Sequence, residues 1–314
     1  MGAEVLIGAR FLQFMAALVL FGAPLFFLYG LETSAATPDS SMRCPWRHRL
    51  LLVAATVALL GSLIWVMAET ASMGDSPSDA VNPAALWMIL SDTRFGRACL
   101  TRIALLFLSL IVSLSIPTSK RLWILQALFG GAVTLSFAWT GHGAVDRGIA
   151  GAFHLGADLL HLLAAGIWIG ALLPLTVMVV RSIRSKAESD ARSLHLALAR
   201  FSTIGIPVVA VLVLSGLVNS GFLIGPSRWR ALLTTDYGVV LLIKLGVFGL
   251  MLVLAGLNRY RTTPTLRAAL QMQVSTQSAL GALRKTVLTE TILAFLVLLA
   301  VSVLGTLTPP VSIE

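Results

Sequence analysis

Residues 154–174 read HLGADLLHLLAAGIWIGALLP, and the fold class turns on them. The stretch is as long and apolar as the roughly 20 residues a helix needs to cross a bilayer, yet it holds His154, Asp158 and His161. At 3.6 residues per turn, positions i, i+4 and i+7 stack on one helix face. Ionisable groups are costly in lipid, so this face is expected to look into a bundle, a cavity or an ion path.

The rest of the chain has the same character. Of its 314 residues 57% are hydrophobic and 12% charged, and the mean hydropathy is +0.90. An ordinary soluble protein is excluded; the chain reads as an all-α, polytopic membrane bundle. Its start, MGAEVLIGARFLQF, lacks a basic region followed by a short apolar core and a small-residue cleavage site, so the first apolar segment is expected to remain as a span. The formal net charge of +9 comes without a basic run interleaved with aromatics, which argues against a nucleic-acid partner.

Apolar runs place spans at about 5–28, 50–68, 97–116, 121–140, 153–180, 203–223, 238–257 and 287–307. Basic residues cluster in alternate loops: Arg43, Arg47 and Arg49, then Lys120 and Arg121, then Arg181 to Arg200, then Arg259 to Lys285. The positive-inside rule puts these loops in the cytoplasm and both termini in the periplasm. Cys44 and Cys99 then fall on opposite sides, which disfavours a disulfide between them. PAALWMIL, within the loop 69–96, reads as a short interfacial helix with Trp87 at headgroup level. The polar stretch at about 259–285 reads as a solvated linker within a single transmembrane domain spanning 1–314.

The chain also contains an internal similarity. ARFLQFMAALVLFGA (Ala9 to Ala23) aligns with ADLLHLLAAGIWIGA (Ala157 to Ala171), and TRFGRACLTR (Thr93 to Arg102) aligns with TDYGVVLLIK (Thr235 to Lys244). Four spans per unit implies a parallel 4+4 repeat, with halves at about 1–140 and 150–307. Where the second half has Asp158 and His161, the first has Arg10 and Gln13. Arg10 and Asp158 would stand at equivalent depth and could neutralise each other. The histidines belong to one half, which favours a single site near the repeat interface.

His142, in WTGHGAVDRG, lies at the end of the fourth span, and His154 and His161 descend the fifth. Seven residues separate the latter two by roughly 10 Å, too far for one ion. The alternatives are an ion at His142 with His154, an ion at His161 with a residue of another helix, or a ladder between them. Imidazole with one carboxylate, Asp158, suits Cu(II) or Zn(II), and thioethers from Met67 and Met73 would shift the preference to Cu(I). His48 and His195 fall in basic loops and read as solvated. Arg102 and Lys244 read as snorkelling cations, Asn219 as interhelical glue, and Trp168 as packing or an interface anchor. No Walker A loop, HExxH or GxSxG motif occurs, so neither ATP-driven pumping nor hydrolysis is supported and the chain is not expected to be an enzyme.

HLLAAGIWIGALLPL (His161 to Leu175), the Gly141-His142 pair, the ARFLQ start and YGVVLLIKL (Tyr237 to Leu245) together resemble the copper resistance protein D (CopD) family of bacterial inner-membrane proteins. The resemblance implies copper homeostasis, with copper ions moved across the inner membrane, and a periplasmic copper-binding CopC partner supplied as a separate protein. It makes His142, His154 and His161 candidate copper contacts. The runner-up readings are a b-type haem protein for electron transfer, which needs two histidines at matching depth on facing helices, and a non-transporting copper sensor or scaffold.

Overall fold

The computed structural model describes residues 3–31, 45–74, 76–141, 148–225 and 228–312. Eight of its helices are long and apolar enough to cross a membrane: α1 (Ala3–Gly30), α2 (Pro45–Met73), α3 (Arg94–Ser115), α4 (Lys120–Ser136), α5 (Gly148–Ser185), α6 (Glu188–Ile224), α7 (Asp236–Leu257) and α8 (Gln277–Leu304). No strand occurs among the described residues. His142 and Cys44 lie outside them; Cys99 is buried with a free thiol.

Helix lengths depart from the expected spans where charge begins. α6 starts at Glu188 and α8 at Gln277, well before the expected 203 and 287. The basic stretch after Arg181, expected as a loop, is helical apart from a turn at Lys186 and Ala187, where Lys186 takes a φ of 55°. At 1.5 Å per residue, the 38 residues of α5 measure about 57 Å, against roughly 30 Å of hydrocarbon. A helix of this length must tilt or extend beyond the hydrocarbon, and hydropathy gives no sign of a helix that continues as a polar one. The expected linker at 259–285 is mostly helix too. α7 passes through a π-helical turn at Asn258–Thr262 into a helix at Thr263–Gln271, in which Thr263 and Leu266 are buried.

α1 is the hub. In its most apolar window 72% of residues are buried, against 17% for both α6 and α7, and it packs on α2, α4, α5 and α8. Lipid offers no hydrophobic drive for helices to associate, so close van der Waals approach must supply it, and small residues permit that approach. A Cβ on Gly22 would collide with Gly166 O and lie 2.8 Å from Gly170 Cα, while one on Gly170 would collide with Leu18 O and lie 2.7 Å from Gly22 Cα. The outward faces carry Leu114, Leu128, Leu217 and Val253, all exposed; a contiguous apolar surface of this kind is the one lipid solvates.

α3 and α7 begin alike. Each follows a short helix, Pro83–Asp92 or Ala231–Thr234, and each is capped by a threonine whose hydroxyl accepts from a glycine N–H: Gly96 to Thr93 at 2.8 Å and Gly238 to Thr235 at 3.1 Å. A Cβ at either glycine would strike the backbone of the preceding short helix, so the tight corner requires glycine there. Trp87, on the first of these short helices, is exposed.

Candidate functional site

The starts of α1, α5 and α7 and the ends of α6 and α8 enclose a cavity of about 220 Å³, lined by His154, Asp158 and His161 together with Arg10, Asn219, Tyr237 and Lys244. The helix face chosen from spacing alone thus does look inward. His154 is buried and its ring stacks on Phe222, with centroids 4.5 Å apart and planes 7° from parallel. The Asp158 carboxylate accepts from Asn219 Nδ2 at 3.3 Å, and Asn219 Oδ1 is buried without a partner.

His161 is oriented by Ser215. Nδ1 lies 3.0 Å from the Ser215 hydroxyl, and that hydroxyl donates its single proton to Val211 O at 2.5 Å. A hydroxyl so committed can only accept from the ring. In the tautomer with the proton on Nδ1, the ring donates to that hydroxyl and Nε2 keeps the lone pair. This is the arrangement of a metal-binding histidine, whose second nitrogen donates to an acceptor that fixes the ring. His161 also lines a neighbouring cavity of about 310 Å³ that holds Lys244, Trp168 and Met251.

Several expectations need correction. Arg10 makes no ion pair with Asp158; its guanidinium lies 4.9 Å from the Trp65 ring centroid and packs against Gly305. Arg102 does not snorkel. It is wholly buried, donating to Ser136 Oγ at 2.8 Å, Gln13 Oε1 at 3.0 Å, Ser136 O at 3.2 Å and Thr140 Oγ1 at 3.3 Å, because inward partners offer it more than the surface does. Lys244 likewise lines the inner cavities. Trp168 is more than packing: its indole N–H donates to Glu290. His48 and His195 sit on α2 and α6 rather than in loops, and His48 Nε2 lies 2.8 Å from Ser113 O.

The structure does not gather a complete ligand cage: no three His, Cys, Asp or Glu side chains converge on one point among the described residues. Met67 is half-buried and Met73 exposed, and neither lines the histidine cavity. Sequence reading missed Tyr237, which shows no signal in an apolar span. It also missed Glu290, the lone acidic residue inside the last span, which the intramembrane-charge argument applied to His154 would have found.

The family described as Copper resistance protein D-like, N-terminal domain, matches residues 1–152, and the family described as Copper resistance protein D matches residues 195–304. Copper resistance protein D of Pseudomonas syringae pv. tomato is 35% identical over 96% of both chains. Inner membrane protein YebZ of Escherichia coli is 28% identical over 83% of this chain and 85% of its own. Copper transport protein CutJ of Bacillus subtilis is 29% identical over 75% of this chain and 43% of its own. No solved structure matches. With eight apolar helices and near end-to-end similarity to a family member, the chain belongs to the copper resistance protein D family of multi-pass inner-membrane proteins.

Proposed function

We propose that the protein moves copper ions across the inner membrane, taking them up at the periplasmic side through the cavity of His154, Asp158 and His161. His154 and His142 form the entry, and His161 with Asp158 the next station inward. Both termini then face the periplasm, and a separate CopC-like protein delivers or receives the ion. The observation that supports the reading is the His161 ring, held by Ser215 in a cavity that it shares with His154 and the Asp158 carboxylate. Neutral imidazole is the binding form, so acidification would weaken copper retention.

We also propose that the two halves form a parallel repeat. Two parallels support it. Gln13 Nε2 donates to Ser62 at 2.6 Å and Gln13 accepts from Arg102; its counterpart His161 bonds Ser215 and shares its cavities with Lys244. Copper handling then arose in one half, by a ligand where the other keeps an amide.

The experiment is copper content of the purified protein and copper uptake into proteoliposomes, for wild type and a His154→Ala, His161→Ala double variant. Loss of both bound copper and uptake in a folded variant is expected. Unchanged uptake would remove this route.

A further inference from the structure

At the opposite end from the histidines, α8 carries a second ionisable group. Glu290 is 1% exposed. One carboxylate oxygen accepts from Trp168 Nε1 at 2.9 Å and the other from Asn258 Nδ2 at 3.1 Å; no cation pairs with it among the described residues. It borders a cavity of about 250 Å³ lined by Trp168, Ser202, Asn258 and Arg259. The charged and titratable groups around it are few. On α1 there are Glu4 and Arg10 at the far end and Tyr29; α5 has none between His161 and Arg181, α6 none between Arg200 and Ile224, and α7 none between Lys244 and Arg259. Tyr260, Arg261 and Arg267 follow on the next turns, and α8 itself carries Arg284 and Lys285 ahead of Glu290. Of all these only Arg259 lines the cavity, and its guanidinium is turned to Ser202, with O at 2.6 Å and Oγ at 2.9 Å.

Two features make this more than a buried acid. Asn258 opens the π-helical turn, and such turns commonly re-aim a side chain at a functional site. Trp168 lines both this cavity and the one holding His161 and Lys244, so its indole is a wall shared by the two. His161 in turn is shared between that middle cavity and the outer one. The outer and middle cavities thus share several walls, His161, Ala165, Ile169 and Lys244 among them, whereas the residue common to the middle cavity and the one beside Glu290 is Trp168.

We propose that Glu290 is a proton-binding site and that its protonation unlatches Trp168, the shutter between the middle cavity and the one at the Arg259 end. The step is Glu290 carboxylate plus one proton giving the neutral acid. An ionised carboxylate accepts at both oxygens, whereas the acid turns one oxygen into an O–H donor. The protonated oxygen is the weaker acceptor, so the N–H bond it receives weakens. Asn258 is held from its other side, its Oδ1 accepting from Thr262 at 3.0 Å and Thr286 at 2.5 Å. Trp168 has Glu290 as its hydrogen-bond partner and nothing comparable behind it. Trp168 is the group that leaves. The latch stands without the transport proposed above; its use, proton uptake in exchange for copper passage, rests on that reading.

The test follows the latch in the full-length protein in vesicles, without metal. Acidification should produce an infrared protonated-carboxyl band that Glu290→Gln abolishes and Glu290→Asp retains. It should also change tryptophan emission by a component missing in both Trp168→Phe and Glu290→Gln. A Trp168 component that titrates equally in Glu290→Gln, or a carboxyl band that persists in it, would overturn the proposal. Should Glu290→Gln fail to fold, Glu290→Asp takes its place: the carboxyl band should shift in frequency and the Trp168 component should titrate with a changed midpoint, and a band and midpoint both identical to wild type would overturn the proposal. In copper assays Glu290→Gln should keep bound copper, with the imidazole-based pH dependence of its retention, and lose the stimulation of uptake by a proton gradient, whereas the histidine double variant should lose copper and keep the Trp168 response, so failure of one proposal is separable from failure of the other.

Discussion

Gly22 on α1 and Gly170 on α5 meet backbone to backbone, and the contact is reciprocal: each glycine also abuts the other helix one turn earlier, at Gly166 and at Leu18. In the alignment of the two halves Gly22 pairs with Gly170 and Leu18 with Gly166. Contact of each position with its aligned counterpart is the pattern expected of the repeat proposed above.

Gly170→Ala is therefore expected to destabilise the bundle, since its Cβ would meet Leu18 O and the Gly22 backbone, none of which can swing aside. Overpacking of this kind costs about 1–3 kcal/mol. Gly246→Ala on α7 is the control: nothing lies within 4 Å of its Cβ, and alanine is worth roughly 0.5–1 kcal/mol over glycine in a helix. Thermal unfolding in detergent should place the first variant below wild type and the second at or above it.

Ser215→Ala tests how far copper depends on the orientation of His161. The variant removes the acceptor at Nδ1 without touching a ligand, and loss of such a partner typically weakens metal binding about 10–100-fold. Equilibrium competition with a copper chelator reads the effect. His161→Gln, which installs the residue found at the matching place in the first half, should fold normally, its amide bonding Ser215 as Gln13 bonds Ser62, and should lose copper altogether. A His161→Gln protein with wild-type copper affinity would refute the role given to this ring.

Most of the architecture was legible because lipid enforces a simple code. A run of about 20 apolar residues has few alternatives to a spanning helix, and a charged face on such a run has few places to point other than inward. His154, Asp158 and His161 obeyed both rules. Residues whose partners are supplied by distant helices were not legible. Arg102 reads as a snorkelling cation until Gln13 and Ser136 are seen beside it, and Trp168 reads as packing until Glu290 appears beneath it. Helix rotation decides such pairings, and it is set by contacts between segments far apart in sequence. Helix ends in water, at Glu188 and Gln277, escaped for another reason: hydropathy marks where lipid stops, not where the helix does.

Arg102 should prove to be structural. Its guanidinium serves two hydroxyls, a side-chain amide and a carbonyl at once, and lies 4.1 Å from the Phe137 ring centroid. Arg102→Met strands Gln13 Oε1 and should cost on the order of 3 kcal/mol, the scale of charge-assisted hydrogen bonds. Arg102→Lys should rescue little, because a single ammonium cannot reproduce the planar fork. The measurements are the amount of folded protein in membranes and copper bound per folded molecule. The first should fall in both variants while the second holds.

Lys244 offers the opposite signature. It shares the cavities of His161 and Asp158, so its charge opposes any cation entering them. Lys244→Met should leave folding nearly intact, because the side chain keeps its apolar length, and should tighten copper retention. Removing one like charge at cavity distances is worth about 1–2 kcal/mol at an effective dielectric near 20, which is roughly 5- to 30-fold in affinity. Tighter binding need not mean faster passage, since an ion held more firmly leaves more slowly; copper uptake in proteoliposomes should fall as retention rises. If Lys244→Met instead weakens retention, the lysine acts through Asp158, holding that carboxylate in place for the ion, and the repulsive role assigned to it is wrong.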